Sequence, residues 1–208
     1  MKTQLKEPIA IALSGSGRTL DNFLKCEDSS HYKIVGVISS AIDCRGVTIA
    51  RDHGVPLYCG IFSQPNAKEN EHQIYRFLEE IGARWVALAG FLKIFPVRSS
   101  WEGRIVNIHP ALLPKFGGKG MYGMKVHAAV INAGEKESGA TVHFVNSQYD
   151  EGRIIAQAAL PVLISDSPDT LAHRVFEAEC RLYPDVVNKL IRGDLPLKSG
   201  KVARYEYT

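Results

Sequence analysis

An open, twisted α/β sheet with helices on both faces, parallel in its N-terminal half and mixed in its C-terminal half, is the architecture this sequence predicts. Three observations carry the prediction. Short apolar runs rich in β-branched residues alternate with helix-like stretches through the first third of the chain. A further helical pattern then leads into a run apolar enough to be a buried strand. Later, two successive strand-like runs are expected to pair antiparallel, before a long helix closes the pattern.

Length and composition set the scale. With 208 residues, 45% hydrophobic and 23% charged, the chain has the profile of one soluble globular domain or a closely joined pair, and disorder and fibre are excluded. A chain of this length buries roughly 70% of its unfolded surface, so it needs neither a disulfide nor a structural metal. Cys26, Cys44, Cys59 and Cys180 are scattered without metal-ligand or redox spacing, and read as reduced thiols of a cytoplasmic protein. The polar start from Met1 to Glu7 has no secretory pattern, and no apolar run approaches the ~18 residues a membrane span needs. A formal charge of +3, spread along the chain, suits small anionic ligands and gives no nucleic-acid footprint.

The elements follow in order. Ile9 to Leu13 reads as the first strand and Lys33 to Ile38 as the second, with a short helix over Thr19 to Lys25 between them. Arg45 to His53, stopped by Gly54, reads as a helix, and Pro56 to Cys59 as the next strand, which completes a Rossmann-like β-α-β-α-β unit. Asn66 to Ile81 carries Ile74, Phe77, Leu78 and Ile81 at helical spacing and leads to a strand from Trp85 to Ala89. Arg104 to Ile108 is the fifth strand. A Pro/Gly/Lys-rich stretch covers Pro110 to Gly123, a helix lies near Val126 to Ala133, and strands lie near Thr141 to Val145 and Ile154 to Val162. The long helix opens with Ser167 as cap and Pro168 in its first turn. Its apolar stripe is Leu171, Val175, Ala178, Leu182, Val186 and Leu190; Pro184 should kink it and Gly193 ends it.

Ligands of such sheets sit beyond the carboxyl ends of the strands, so the loops after strands carry the candidate chemistry. Ser14-Gly15-Ser16-Gly17-Arg18-Thr19 follows the first strand and opens a helix, where free N–H groups and the helix dipole favour a phosphate. It is neither a Walker loop nor a full G-x-G-x-x-G, and a plain tight turn also explains it. Gly90 to Phe95 fits either core packing by Phe91 and Phe95 or a ligand wall. At the end of the fifth strand, period-two alternation puts Asn107 and His109 on one side. His109 is there either as a structural histidine or, beside Asn107, as a group for carbonyl polarisation and proton transfer. Asp150, in the polar loop Asn146 to Gly152, is either a turn residue or the acid partner of His109. His127 and His143 are weaker candidates. No histidine and carboxylate cluster has metal-ligand spacing, so no metal is expected.

Together, Asn107-Ile108-His109-Pro110-Ala111-Leu112-Leu113-Pro114, Gly139-Ala140-Thr141-Val142-His143-Phe144-Val145 and Tyr149-Asp150-Glu151-Gly152 resemble the formyltransferase family that uses 10-formyltetrahydrofolate. With the Ser14-Gly15-Ser16-Gly17 loop, Ala89-Gly90-Phe91, Glu179 and Tyr183-Pro184, the resemblance runs from Ile9 to Gly193. It implies the formyltransferase fold and transfer of a formyl group from 10-formyltetrahydrofolate to the amine of 5-phosphoribosylglycinamide in purine synthesis, without metal or ATP. Asn107, His109 and Asp150 are implied as catalytic: protonated His109 and Asn107 would stabilise the oxyanion, and Asp150 would raise the pKa of His109 and help relay the proton. Gly17, Arg18 and Thr19 are implied at the sugar phosphate, and Glu179 at the glycinamide. Folate contacts are implied for Asn107 and the backbone of Leu92, Lys93, Ile94 and Phe95, with Lys68 the basic residue nearest to matching a contact to the folate tail.

Three departures from the family pattern stand out. Thr19 replaces the usual asparagine, Lys93 replaces an arginine, and the loop from Phe116 to Gly123 is longer than usual, with Lys119 its candidate phosphate contact. The resemblance implies one domain over 1–208, with a nucleotide-binding-like half at 8–100, a catalytic half at 101–193 and a tail or edge strand at 194–208. Small molecules are the expected partners, with no nucleic acid or membrane, for a monomer or homodimer. Formyl transfer to another small amine, hydrolysis of formyltetrahydrofolate, and a non-catalytic folate- or nucleotide-binding module are the alternatives. The lack of a segment beyond Gly193 or ahead of Pro8 is read as weighing against the tRNA-formylating and hydrolysing members.

Overall fold

The computed structural model describes residues 5–60, 62, 67–195 and 202–207. Most of the polar start (Met1 to Gln4), the expected helix start at Asn66, and 196–201 and 208 of the expected tail lie outside them. The chain divides into two units, 1–105 and 106–208.

The first unit is built from β1 (Glu7–Leu13), α1 (Arg18–Cys26), β2 (Tyr32–Ser39), α2 (Arg45–Asp52), β3 (Leu57–Cys59), α3 (Ala67–Glu80) and β4 (Trp85–Leu88). Its strands lie in the order β3-β2-β1-β4 and all run parallel. Ile9 to Leu13 are wholly buried, as expected for a central strand covered on both faces. Gly17 begins α1 in the left-handed region, φ 69°, and a Cβ there would lie 2.5 Å from the Cα of Gly46 in α2. Glycine is therefore required at this close approach of the two helix starts. Of the expected α3 stripe, Ile74 and Leu78 are buried, while Phe77 and Ile81 are half-buried over Gly36 of β2. Two short 3-10 turns, Glu27–Ser29 and Ser99–Trp101, had no signature in the sequence pattern.

The second unit begins within β5 (Ile105–His109) and continues through α4 (Met124–Asn132), β6 (Glu137–Phe144), β7 (Ile154–Pro161), α5 (Pro168–Arg192) and β8 (Ala203–Glu206). Its order is β5-β6-β7-β8. The first two pairings are antiparallel and the last is parallel, so this half is mixed as expected. Strand β6 starts at Glu137, ahead of the predicted Thr141, because backbone pairing of Glu137 and Ser138 with Pro161 and Leu160 extends the ladder through polar residues. In α5 the Ser167 hydroxyl accepts the Thr170 N–H and the Thr170 hydroxyl accepts the Ser167 N–H, and the helix ends on Gly193 at φ 74°. The predicted stripe is buried throughout, and the helix continues through Pro184. Of the expected tail, 203–206 form the edge strand β8, held where Tyr205 donates to Asp185 and accepts from Lys189.

Candidate active site

Asn107 and His109 leave β5 on the same face, two residues apart. Antiparallel register sets Asn107 opposite His143 and His109 opposite Thr141 on β6. Cross-strand partners project to one face, so Asn107 Nδ2 comes to 3.0 Å from His143 Nε2. Asp150 enters from the loop between β6 and β7. Its Oδ2 lies 3.4 Å from His109 Nδ1, and its Oδ1 lies 3.6 Å from His143 Nε2 and 3.5 Å from Asn107 Nδ2. One carboxylate thus stands between two imidazoles and an amide. Gly152 makes that placement possible: a Cβ there would lie 1.6 Å from the Phe144 carbonyl oxygen, so no other residue lets the loop fold this tightly against the end of β6.

Further bonds hold the frame. The Thr141 hydroxyl donates to the Ala111 carbonyl at 2.6 Å and accepts from the Leu113 amide at 3.0 Å and from Gln157 at 3.1 Å, which ties the segment after His109 to β6 and β7. Tyr183 of α5 donates to the Val106 carbonyl from beneath, at 3.0 Å.

His109 is 4% exposed, and its Nε2 donates to the Phe116 carbonyl at 2.8 Å, leaving Nδ1 toward Asp150. Burial holds its pKa below the ordinary imidazole value; Asp150 and the Phe116 carbonyl pull upward, His143 pushes down, and burial prevails. The expected rise caused by Asp150 is therefore real as a pull but not as the net outcome, and His109 is neutral at neutral pH. Burial pushes Asp150 up, but hydrogen bonding with His143, the nearby His109 and the Gly118 N–H at 2.9 Å outweigh it and keep the carboxyl below its usual range. Among the described residues, Phe116 and Asp150 are the non-glycine residues with positive φ, both at 57°. Both hold the His109 and Asp150 pair, so backbone strain costing about 1–3 kcal/mol each is concentrated there.

A cavity of about 430 Å³ opens beside Asp150, between the Leu113 to Gly118 segment and the Tyr149 to Ile154 segment. Lys119 is exposed on the neighbouring loop, and Glu179 is half-buried on α5. In the first unit, Gly17, Arg18 and Thr19 lie at the start of α1, beyond the carboxyl end of β1. Ser14 N–H donates to the Gly90 carbonyl at 3.1 Å and the Leu92 N–H to the Ser14 hydroxyl at 2.8 Å, so the glycine loop and the loop after β4 are joined. Phe91 and Phe95 are buried against each other, whereas Leu92 and Ile94 are 47% and 52% exposed and Lys93 is exposed. The aromatics of that loop thus pack the core, and its aliphatics face outward. Lys68 is exposed in the first turn of α3. A larger cavity, about 680 Å³, opens at the amino end of β2 near Lys33 and His53, the edge opposite to where such sheets bind ligands.

Sequence reasoning underrated His143. Alternation showed that it faces one side of a strand, but the register that sets it opposite Asn107 is decided by the β5 and β6 pairing, which no spacing in the sequence reports.

Comparison with known proteins identifies the family. The Formyl transferase family profile matches residues 7–187. The chain is 41% identical over 194 residues to the chloroplastic phosphoribosylglycinamide formyltransferase of Arabidopsis thaliana, covering 89% of this chain and 65% of that protein. It thus spans just under two thirds of that plant relative's length. It is 34% identical over 197 residues to the phosphoribosylglycinamide formyltransferase of Haemophilus influenzae, covering 91% of this chain and 90% of that protein. The crystal structure of phosphoribosylglycinamide formyltransferase from Anaplasma phagocytophilum matches with a TM-score of 0.85 at 31% identity, over 98% of this chain and 100% of that one. With the profile running from the first strand, through the Asn107, His109 and Asp150 cluster, into the last long helix, the chain belongs to the formyl transferase family.

Proposed function

We propose that this protein transfers the formyl group of 10-formyltetrahydrofolate to the amine of 5-phosphoribosylglycinamide, giving the N-formyl product and tetrahydrofolate in purine biosynthesis. The observation that carries the reading is the buried contact of His109 Nδ1 with Asp150 at 3.4 Å, next to Asn107 and the cavity that Asp150 lines. The names of the plant and bacterial relatives support the acceptor.

In this reading the amine nitrogen bonds to the formyl carbon, and the bond from that carbon to the folate nitrogen breaks. The proton lost by the amine must reach the departing nitrogen. His109, neutral through burial, takes it on Nδ1 beside the ionised Asp150, which stabilises the imidazolium, and returns it to the leaving group. Negative charge on the formyl oxygen meets that imidazolium. Gly17, Arg18 and Thr19, at the positive end of α1, take the sugar phosphate. In the second unit, Glu179 holds the glycinamide. The loop from Leu92 to Phe95, with its exposed aliphatics, and Lys68 take the folate. The reading keeps one functional domain, small-molecule partners, and a cytoplasmic monomer or homodimer; among the described residues no helix is long and apolar enough to cross a membrane.

A spectrophotometric assay following conversion of 10-formyltetrahydrofolate to tetrahydrofolate tests the reading. Release that depends on the ribosylglycinamide phosphate is expected. Release without acceptor assigns hydrolysis instead, and no release overturns the proposal. Asn107→Ala and Asp150→Ala are each expected to lower kcat by about 10²-fold or more with the circular dichroism spectrum unchanged. Near-normal turnover in either variant removes that residue from the catalytic set.

A further inference from the structure

Cys44 and Cys59 share no redox spacing in the sequence, yet the first unit brings them to one place. Parallel register sets Cys59 of β3 beside Ser39 of β2, and register partners project to the same face. The preceding pair, Ile38 and Tyr58, projects to the other face, where the Tyr58 ring meets Phe77 of α3 at 5.9 Å between centroids. Ser39 and Cys59 therefore face α2. Cys44 is the N-cap residue of that helix, and its side chain makes no capping bond to the helix start; Sγ instead lies 3.8 Å from the Ser39 hydroxyl. Both cysteines are free and half-buried. Burial pushes the Cys59 thiol up, the neighbouring Cys44 adds to the rise, and Arg51 of α2 pulls the other way. The start of α2 also borders the glycine loop. Gly46 N–H donates to the Gly15 carbonyl at 3.0 Å, its Cα packs against Gly17, and the Ser14 and Ser40 hydroxyls are bonded at 2.6 Å. A displacement of Cys44 therefore reaches that loop through Arg45 and Gly46.

We propose that Cys44 and Cys59 are a redox switch: a peroxide joins them in a disulfide that draws the first turn of α2 toward β3 and weakens capture of the phosphorylated acceptor by the glycine loop. The consequence for the acceptor rests on the formyl-transfer reading. A disulfide sets its sulfurs about 2.05 Å apart, well inside the contact distance of free thiols, so closure shifts Cys44 against a strand that β2 holds in place. In the first step the Cys44 sulfur, its proton lost, attacks one peroxide oxygen; the O–O bond breaks, and a sulfenic acid and one water form. Cys59, losing its own proton, then attacks the Cys44 sulfur. The S–O bond breaks, the S–S bond forms, and the departing hydroxide takes that proton to give a second water. Two thiols thus lose two electrons, and the peroxide gains them. Because the Cys59 thiol is pushed up, Cys44 is the first sulfur oxidised and Cys59 the one that resolves it.

Hydrogen peroxide treatment followed by alkylation and peptide mapping reads the bond. A peptide cross-linked through Cys44 and Cys59, and separated again by dithiothreitol, is expected. Sulfenic acid that stays on Cys44, or cross-links to Cys26, to Cys180 or between chains in its place, overturns the inference. In the transfer assay the oxidised protein is expected to show a KM for the ribosylglycinamide phosphate raised at least about fivefold, with kcat and the folate KM within about twofold, and dithiothreitol is expected to restore it. Cys44→Ser and Cys59→Ser are each expected to turn over like the reduced wild type and to lose the response to peroxide. A response that persists in either variant, or a cross-link that leaves that KM unchanged, overturns the switch. No turnover in the reduced wild type sinks the formyl-transfer reading first. Calorimetric titration with ribose 5-phosphate then decides the switch by itself: binding weakened by the same factor on oxidation supports it, and equal binding or none overturns it.

Discussion

Two buried imidazoles, His109 and His127, make acid the weak side of this protein. Burial holds both below the ordinary imidazole value of 6.5, and for His127 the neighbouring His109 adds to the effect. The unfolded chain therefore binds more protons than the folded one between those lowered values and pH 6.5, and stability rises with pH across that window. The contribution is complete above 6.5 and is lost as pH falls. Asp150, also lowered, adds a further loss below its ordinary 3.8. The urea midpoint is thus expected to drop from about pH 7.5 to pH 5. His127→Leu should flatten that dependence, and an unchanged slope would show that His127 does not titrate on unfolding. The same variant removes a buried Nδ1 that has no partner among the described residues, an omission costing about 1–3 kcal/mol, so it should not destabilise at neutral pH. Asn107 and His109 were legible because alternation within one strand is written in the sequence. The charge state of His109 was not, because it depends on how deeply the ring is covered.

Within the elements, the β6–β7 connection is the piece on which the site depends. Strand pairing fixes Phe144 and Gly152 so closely that an added methyl group meets a carbonyl oxygen at 1.6 Å. Gly152→Ala is expected to push the loop outward, lower kcat by about 10²-fold through displacement of Asp150, and leave helix content intact. Activity near wild type would show that the loop can relax with its carboxylate in place. Helix ends were readable, as at Ser167 and Gly193, because capping chemistry is local. The start of β6 was not, since Glu137 and Ser138 join the strand only through a partner ladder supplied by β7. Asp150 is the intermediate case: its turn was visible, but its proximity to His109 needed both the β5 register and the glycine that folds the loop back.

Across the whole molecule, the first unit was the easier half to read. Its parallel strands are apolar runs separated by helices, and such connections admit few arrangements. In the second unit, antiparallel pairings leave the register open, and the candidate site depends on that register. One feature of this unit also bears on behaviour far from the site. Strand β8 closes the edge of the sheet with Arg204 and Glu206 exposed, and beneath it β7 reads Ile154-Ile155-Ala156-Gln157-Ala158-Ala159-Leu160-Pro161 without a charged residue. Charge on a terminal strand repels a neighbour's backbone, and an uncharged apolar strand invites it. Removing 202–208 should therefore yield a chain that scatters light and forms soluble aggregates on size exclusion at concentrations where the intact chain does not, and a monodisperse truncation would show that β7 guards itself. On that expectation the four residues of β8 act as a gatekeeper for the colloidal stability of the sheet, at the edge strand and away from the candidate site.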